Sequence, residues 1–281
     1  MTGCRTLTIR DGGVGRFLHA THSNAERVRT CQCDTQSPPT RNHRSREVEG
    51  LEPLQRPKLV SEYAQACLEA LAVSGYGQFI SLGGAFGLAH YLEYRLTHDV
   101  DAWWMEPVTS EERQQVICTL QAALQPFGQV HTRSWGDVVS VELRRQRKTI
   151  FSFQIARRSA QLAAPTPGPW AGIMVDSFAD LVASKMVALV DRGAPRDFRD
   201  IYMLCQSGQC DMARCWELWQ ERQQLAGEDT DQKRASLAVR THLARIEQAR
   251  PLRQIADQQE RLAAEQLRAW FTQEFLHDLA D

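Results

Sequence analysis

SLGGAFGLAHYLEYRLTHDVDAWW, Ser81 to Trp104, puts a glycine pair, an apolar run and two aspartates one residue apart into a single unit. GQFISLGG reads as a short strand entering a glycine turn, AFGLAHYLEYRL as a helix leaving it, and HDVDAWWM as a second strand. Side chains alternate across a strand, so Asp99, Asp101 and Trp103 share one face and Val100, Ala102 and Trp104 the other. Both carboxylates point the same way. Glycines let the backbone approach a phosphate closely, and the N–H groups that open the following helix favour an anion. Mg2+ in turn prefers one or two protein carboxylates completed by phosphate oxygens and water. The unit therefore predicts phosphates seated at Gly83 and Gly84 and a metal held by Asp99 and Asp101. A D-x-D pair alone would be read as a solvated strand end; the glycine turn and helix upstream reverse that preference.

Working outward, Leu59, Val60, Tyr63, Cys67, Leu68 and Leu71 recur at helical spacing until SGYG stops them. Thr109 and Glu112 form a capping-box pattern that starts a helix running to Phe127. VVSVELRR and TIFSFQIA follow as a hairpin. A Pro- and Gly-rich stretch, Pro165 to Pro169, reads as a linker, after which strand signals fade. Ser177 and Asp180 cap the helix SFADLVASKMVALVDRG, and Pro195 opens PRDFRDIYMLCQSG at its first turn. Residues 211–281 are helical in pattern, broken at GEDTD and Pro251, with Gln- and Arg-rich runs read as solvated faces rather than nucleic-acid contacts.

The expected fold is α+β: a disordered tail at 1–54, a nucleotide-handling mixed sheet with flanking helices at 55–165, and a helical domain at 170–281. With 33 Lys and Arg against 34 Asp and Glu, no global field announces nucleic acid, and an anionic ligand must be handled locally. No apolar run is long enough for a membrane span and no secretory signal opens the chain, so it reads as cytosolic. None of the eight cysteines forms a C-x-x-C pair, which argues against zinc. Cys205, Cys210 and Cys215 recur every five residues and, on one helix, would not converge; they read as reduced, mostly buried thiols.

G-G-x-x-x-L-x-x-x-L-x-x-R-x-[ST]-x-D-h-D, here Gly83, Gly84, Leu88, Leu92, Arg95, Thr97, Asp99 and Asp101, resembles the opening motif of the AbiEii/AbiGii nucleotidyltransferases of the DNA-polymerase-β-like superfamily. A later helix carrying Lys185 and an R-D-x-x-D helix carrying Arg196, Asp197 and Asp200 follow in the family's order, so the resemblance covers about 80–205. It implies that Lys185 contacts the triphosphate, that Arg95 and Thr97 lie on the nucleotide side, and that Asp200, with Asp197, orients the site. Lys185 and the aspartate pair can also be read as a surface lysine and a surface ion-pair network. The superfamily's third carboxylate is expected on FSFQIA, where Gln154 stands; Glu142, on the polar face of the preceding strand, is the expected substitute.

The implied activity is Mg2+-dependent transfer of a nucleotidyl group from an NTP to a hydroxyl of RNA, tRNA included, or of a protein. The implied context is the toxin half of a bacterial toxin–antitoxin or phage-defence pair with a separate antitoxin. A catalytically impaired binding module of the same fold, which Gln154 favours, and an antibiotic-modifying transferase are the competing readings.

Overall fold

The computed structural model describes residues 54–276, which lie within one compact unit, Glu52–Asp281. The tail expected at 1–54 falls almost wholly outside the described residues. Ser61 caps α1 (Glu62–Ser74), which ends at Gly75 in the left-handed conformation; Leu59 stays outside the helix, half exposed. A 3-10 turn then leads into β1 (Ile80–Gly83), and Gly84 opens α2 (Gly84–Leu88). The helix expected to run on to Leu96 stops there. Tyr91, Leu92 and Tyr94 pack instead against the apolar cluster of the C-terminal helices, a tertiary demand that a straight helix would not meet.

β2 (Asp99–Trp104) shows the expected alternation, with Val100, Ala102 and Trp104 buried. α3 (Ser110–Leu124) starts at the Thr109–Glu112 capping box, with both reciprocal hydrogen bonds present, and a 3-10 turn carries it to Phe127. β3 (Gln129–Trp135), not foreseen in the sequence, pairs antiparallel with β4 (Val138–Arg145), which turns through Gln146 and Arg147 into β5 (Lys148–Ala156). β6 (Thr166–Pro167) and β7 (Met174–Val175) lie in and just beyond the stretch read as a linker and add a last hairpin to the sheet.

The seven strands run β3-β4-β5-β2-β1-β7-β6, a mixed sheet in which β2 is parallel to β5 and antiparallel to β1. One buried cluster lies between this sheet, α1 and α3. A second is built by α4 (Phe178–Asp191), α5 (Pro195–Gln206), α6 (Met212–Ala226), α7 (Gln232–Ala249) and α8 (Gln258–Trp270), with Leu88 inserted from the sheet side. No helix of the described residues is long and apolar enough to cross a membrane.

The expectation that Cys205, Cys210 and Cys215 stay apart is overturned. Helical phase does not carry across the interhelical turn, which contains Gly208 at φ 72°, and the three sulfurs meet there.

Candidate active site

β2 sits centrally because both its neighbours are strands, and its register fixes what faces the two carboxylates. Asp101 lies opposite Gly83 on β1 and Gln154 on β5; Asp99 lies opposite Ser152. The glycine pair is a packing requirement as much as a phosphate seat. A Cβ at Gly84, whose φ is +58°, would come 2.1 Å from Asp101 Oδ2, and one at Gly83 would come 2.3 Å from Trp103 Nε1. The turn is thus moulded around the aspartate strand.

The two carboxylates differ. Asp99 Oδ1 accepts hydrogen bonds from Ser152 N at 3.2 Å and Ser152 Oγ at 2.8 Å, leaving its second oxygen without a bond among the described residues. The Asp101 side chain has no hydrogen bond or ion pair among the described residues. Burial pushes its acidity down, raising its pKa, a shift that Lys185 opposes and Asp99 reinforces.

On the helical side, Asp200 of α5 is fully buried and saturated. Lys185 Nζ lies 2.7 Å from Oδ2, Arg95 donates Nε at 3.0 Å and Nη2 at 3.2 Å, and the Tyr94 hydroxyl donates to Oδ1. Burial alone would raise the Asp200 pKa, but Lys185 and Arg95 outweigh it and hold it below the usual carboxylate range. Lys185 is buried rather than on the surface and has Asp200 as its anion. Two cations around one carboxylate leave a surplus positive charge beside the β2 aspartates.

Asp197 is also fully buried; it accepts from Arg192 Nε and Nη2, both at 2.8 Å, and from Ala194 N at 3.0 Å, fastening the start of α5. Thr97 is buried in the segment leading into β2.

Glu142 is not brought to the aspartate pair. It stands opposite Ser152, one strand beyond the one that faces Asp99, and its carboxylate accepts from Arg144 at 2.6 and 3.0 Å, Arg133 at 3.4 Å and Thr149 at 3.2 Å. Those arginines hold its pKa down despite its burial. A carboxylate so occupied is a poor proton acceptor, which speaks against the third-acid role expected of Glu142. Gln154, facing Asp101, donates Nε2 to Ser152 Oγ at 3.2 Å.

Sequence reasoning missed Tyr94, because the segment holding it was assigned to a continuing helix. It also missed a buried cluster under Trp103, where Arg158 donates to Ser81 Oγ at 2.7 Å and to Asp176 at 2.5 and 3.2 Å. The only local signal for that cluster is the alternation that extends β5 towards Arg158. Beside the site, α5, α7 and α8 enclose a groove of about 990 Å3 that Arg95, Arg192, Arg196, Arg199, Arg245 and Arg250 all line. Arg196, Arg199 and Arg245 are exposed there and form no ion pair among the described residues.

The chain is similar to a crystal structure of a candidate nucleotidyltransferase from H. pylori, at 15% sequence identity and a TM-score of 0.41, covering 79% of this chain and 100% of that one. No curated protein matches the chain. The family model described as the nucleotidyl transferase AbiEii toxin of type IV toxin–antitoxin systems matches residues 66–279. A match of that extent spans the sheet, the aspartate strand and the helices bearing Lys185 and Asp200, and the chain belongs to the AbiEii nucleotidyltransferase toxin family.

Proposed function

We propose that the chain transfers a nucleotidyl group from an NTP to an RNA hydroxyl, with Mg2+ as the metal and a separate antitoxin as its partner. The observation that carries this reading is the β2 pair: two carboxylates on one face, one of them half-buried with no side-chain partner among the described residues, beside a glycine turn. Burying an unpaired carboxylate is costly unless a cation completes it, and hard oxygens are the donors that Mg2+ takes. Asp99 and Asp101 fit as its holders. When bound there, the ion would neutralise phosphate charge and lower the pKa of a coordinated hydroxyl.

The chain's own residues supply the rest. Lys185, paired with Asp200 and near enough to Asp101 to favour its charged form, would contact the triphosphate. Arg95 is held by the same carboxylate and also lines the groove, so it borders both nucleotide and acceptor. The glycine turn at the start of α2, where no side chain caps the helix, would seat phosphate oxygens at Gly83 and Gly84. Asp200 and Asp197 act as positioning residues, the first through Lys185 and Arg95 and the second through the start of α5.

Of the two acceptor classes, RNA is favoured over protein by the groove. Arg196, Arg199 and Arg245, exposed in one cleft and without an ion pair among the described residues, match the spacing-tolerant, planar recognition that guanidinium gives to phosphates. The test is incubation of the purified chain with each labelled NTP, Mg2+ and either total RNA or total protein, with Asp101→Asn in parallel. Label on RNA that needs Asp101 supports the reading. Label confined to protein, or label that Asp101→Asn retains, overturns it.

A further inference from the structure

Three thiols that sequence spacing would separate meet where α5 passes into α6. Cys205 lies in the last turn of α5, Cys210 in the connecting turn and Cys215 in the first turns of α6. Cys215 Sγ is 3.5 Å from Cys210 Sγ and 3.9 Å from Cys205 Sγ, which makes Cys215 the centre of the group. Cys210 and Cys215 are buried, whereas Cys205 is half-buried and within reach of solvent. Cys67 and Cys118 have no thiol neighbour among the described residues.

Free buried cysteines are ordinarily inert small hydrophobes, but three in mutual contact are a different chemical object. To reach the bonding distance of roughly 2.05 Å, the 3.5 Å pair needs to close by about 1.5 Å and the 3.9 Å pair by about 1.9 Å. Cys210 belongs to neither helix, so its backbone can adjust without breaking a helical hydrogen bond. The Cys210–Cys215 contact lowers the pKa of Cys210, favouring the thiolate that disulfide exchange requires, while the contacts with Cys205 and Cys210, and burial, raise that of Cys215.

We propose that Cys205, Cys210 and Cys215 form an oxidant-driven thiol relay, entered at Cys205 and ending in a Cys210–Cys215 disulfide. With hydrogen peroxide as oxidant, the Cys205 thiolate attacks one peroxide oxygen, cleaving the O–O bond, releasing water and leaving a sulfenic acid. Cys215, 3.9 Å away, attacks that sulfur and expels a second water, giving a Cys205–Cys215 disulfide. Cys210, 3.5 Å from Cys215, then attacks the Cys215 sulfur, forms the final bond and returns Cys205 as a thiol. In sum, two thiols lose two hydrogens and one peroxide becomes two waters. The bond fastens the turn that follows α5, the helix that carries Asp197 and Asp200, to the start of α6.

Trypsin gives a clean readout, because Arg199, Arg214 and Arg222 place Cys205 and Cys210 on peptide 200–214 and Cys215 on peptide 215–222. The full chain is reduced, desalted, treated with peroxide, quenched in acid, alkylated in denaturant, digested and mapped by mass spectrometry. The wild type should yield the two peptides joined, with the link at Cys210 and one alkyl group on Cys205. Cys210→Ser should trap the Cys205–Cys215 link. Cys205→Ser should form the Cys210–Cys215 link at least tenfold more slowly. Recovery of all three cysteines alkylated in the wild type overturns the relay without reference to any variant. A link from Cys215 to a cysteine outside the group, or a Cys205→Ser chain oxidised as fast as wild type, overturns it as well.

Discussion

Two pairs of aspartates stand close to one another, and they are treated in opposite ways. On β2, Asp99 has one oxygen occupied by Ser152 and the Asp101 side chain has no partner among the described residues. On α5, Asp197 and Asp200 are fully buried and saturated, the first by Arg192 and its own helix start, the second by Lys185, Arg95 and Tyr94. A half-buried carboxylate left open is a cost that folding alone does not explain, whereas a fully buried, saturated one is a strut. The open pair is where an external charge belongs. The saturated pair fixes the groups that meet the rest of that ligand.

The contrast breaks first if the open pair proves dispensable. Asp99→Asn and Asp101→Asn should each lower nucleotidyl transfer by about 10² or more, since a lost metal ligand removes stabilisation of developing phosphoryl charge. Asp101→Asn should at the same time leave the melting temperature no lower than wild type in metal-free buffer, because it removes a half-buried, disfavoured charge and no side-chain partner. Transfer near the wild-type rate, or a large drop in thermal stability, would show that Asp101 is a strut as well.

Asp200→Asn should behave in the reverse manner. It leaves Lys185 and Arg95 without their anion in a buried setting, a defect that costs on the order of 3 kcal/mol. The pH dependence follows from the lowered pKa of Asp200. A carboxyl whose folded pKa lies below its unfolded value of 3.8 contributes stability above that value and loses it as pH falls through the folded pKa. Denaturant titrations should therefore show the wild-type advantage over Asp200→Asn intact at neutral pH and shrinking only below about pH 4. An advantage that persists unchanged to pH 2 would mean that charge is not what Asp200 contributes.

The same distinction sharpens the reading of the groove. Arg196, Arg199 and Arg245 form no ion pair among the described residues, whereas Arg192 and Arg250 have carboxylate partners in Asp197 and Glu260. Replacing each unpaired arginine by Gln should weaken RNA binding several-fold and make the slope of log K against log salt shallower by roughly one unit for each phosphate no longer neutralised, with NTP affinity unchanged. Arg192→Gln should instead lower thermal stability. Equal salt slopes for all these variants would dissolve the groove as an RNA surface.

Sequence alone reached whatever is local. The alternation of β2, the Thr109–Glu112 box, the Ser177 cap and Pro195 at the start of α5 depend on neighbours within a few residues, and each appears as read. What it could not reach is decided across the fold. AFGLAHYLEYRL has helical spacing, yet Tyr94 and Arg95 are drawn off the helix to meet Asp200, more than a hundred residues on. The three thiols were separated by extending one helix's phase through a turn that contains Gly208. β3 is an edge strand whose mostly exposed residues give almost no apolar alternation, so nothing in its pattern announced it.

Glu142 is the case in which a correct local reading led to a different role, and it gives the smallest expected effect. Its strand face is as read, on the side of Ser140 and away from the buried Val141 and Leu143. Arg144, two residues on and therefore on that same face, was the available sign that the carboxylate would be occupied. It belongs with Asp200 among the saturated acids. Glu142→Gln should change turnover by less than about twofold, since proton transfer by a positioned base would be worth about 10² or more. It should lower stability by about 1 kcal/mol, near the lower end for charge-assisted hydrogen bonds, because Arg133 and Arg144 are partly solvated and screened. Since its folded pKa lies below 4.5, that difference should be full at neutral pH and fade as pH falls through the folded value. A hundredfold loss of turnover with unchanged stability would move Glu142 to the open class and return the third carboxylate to the reaction.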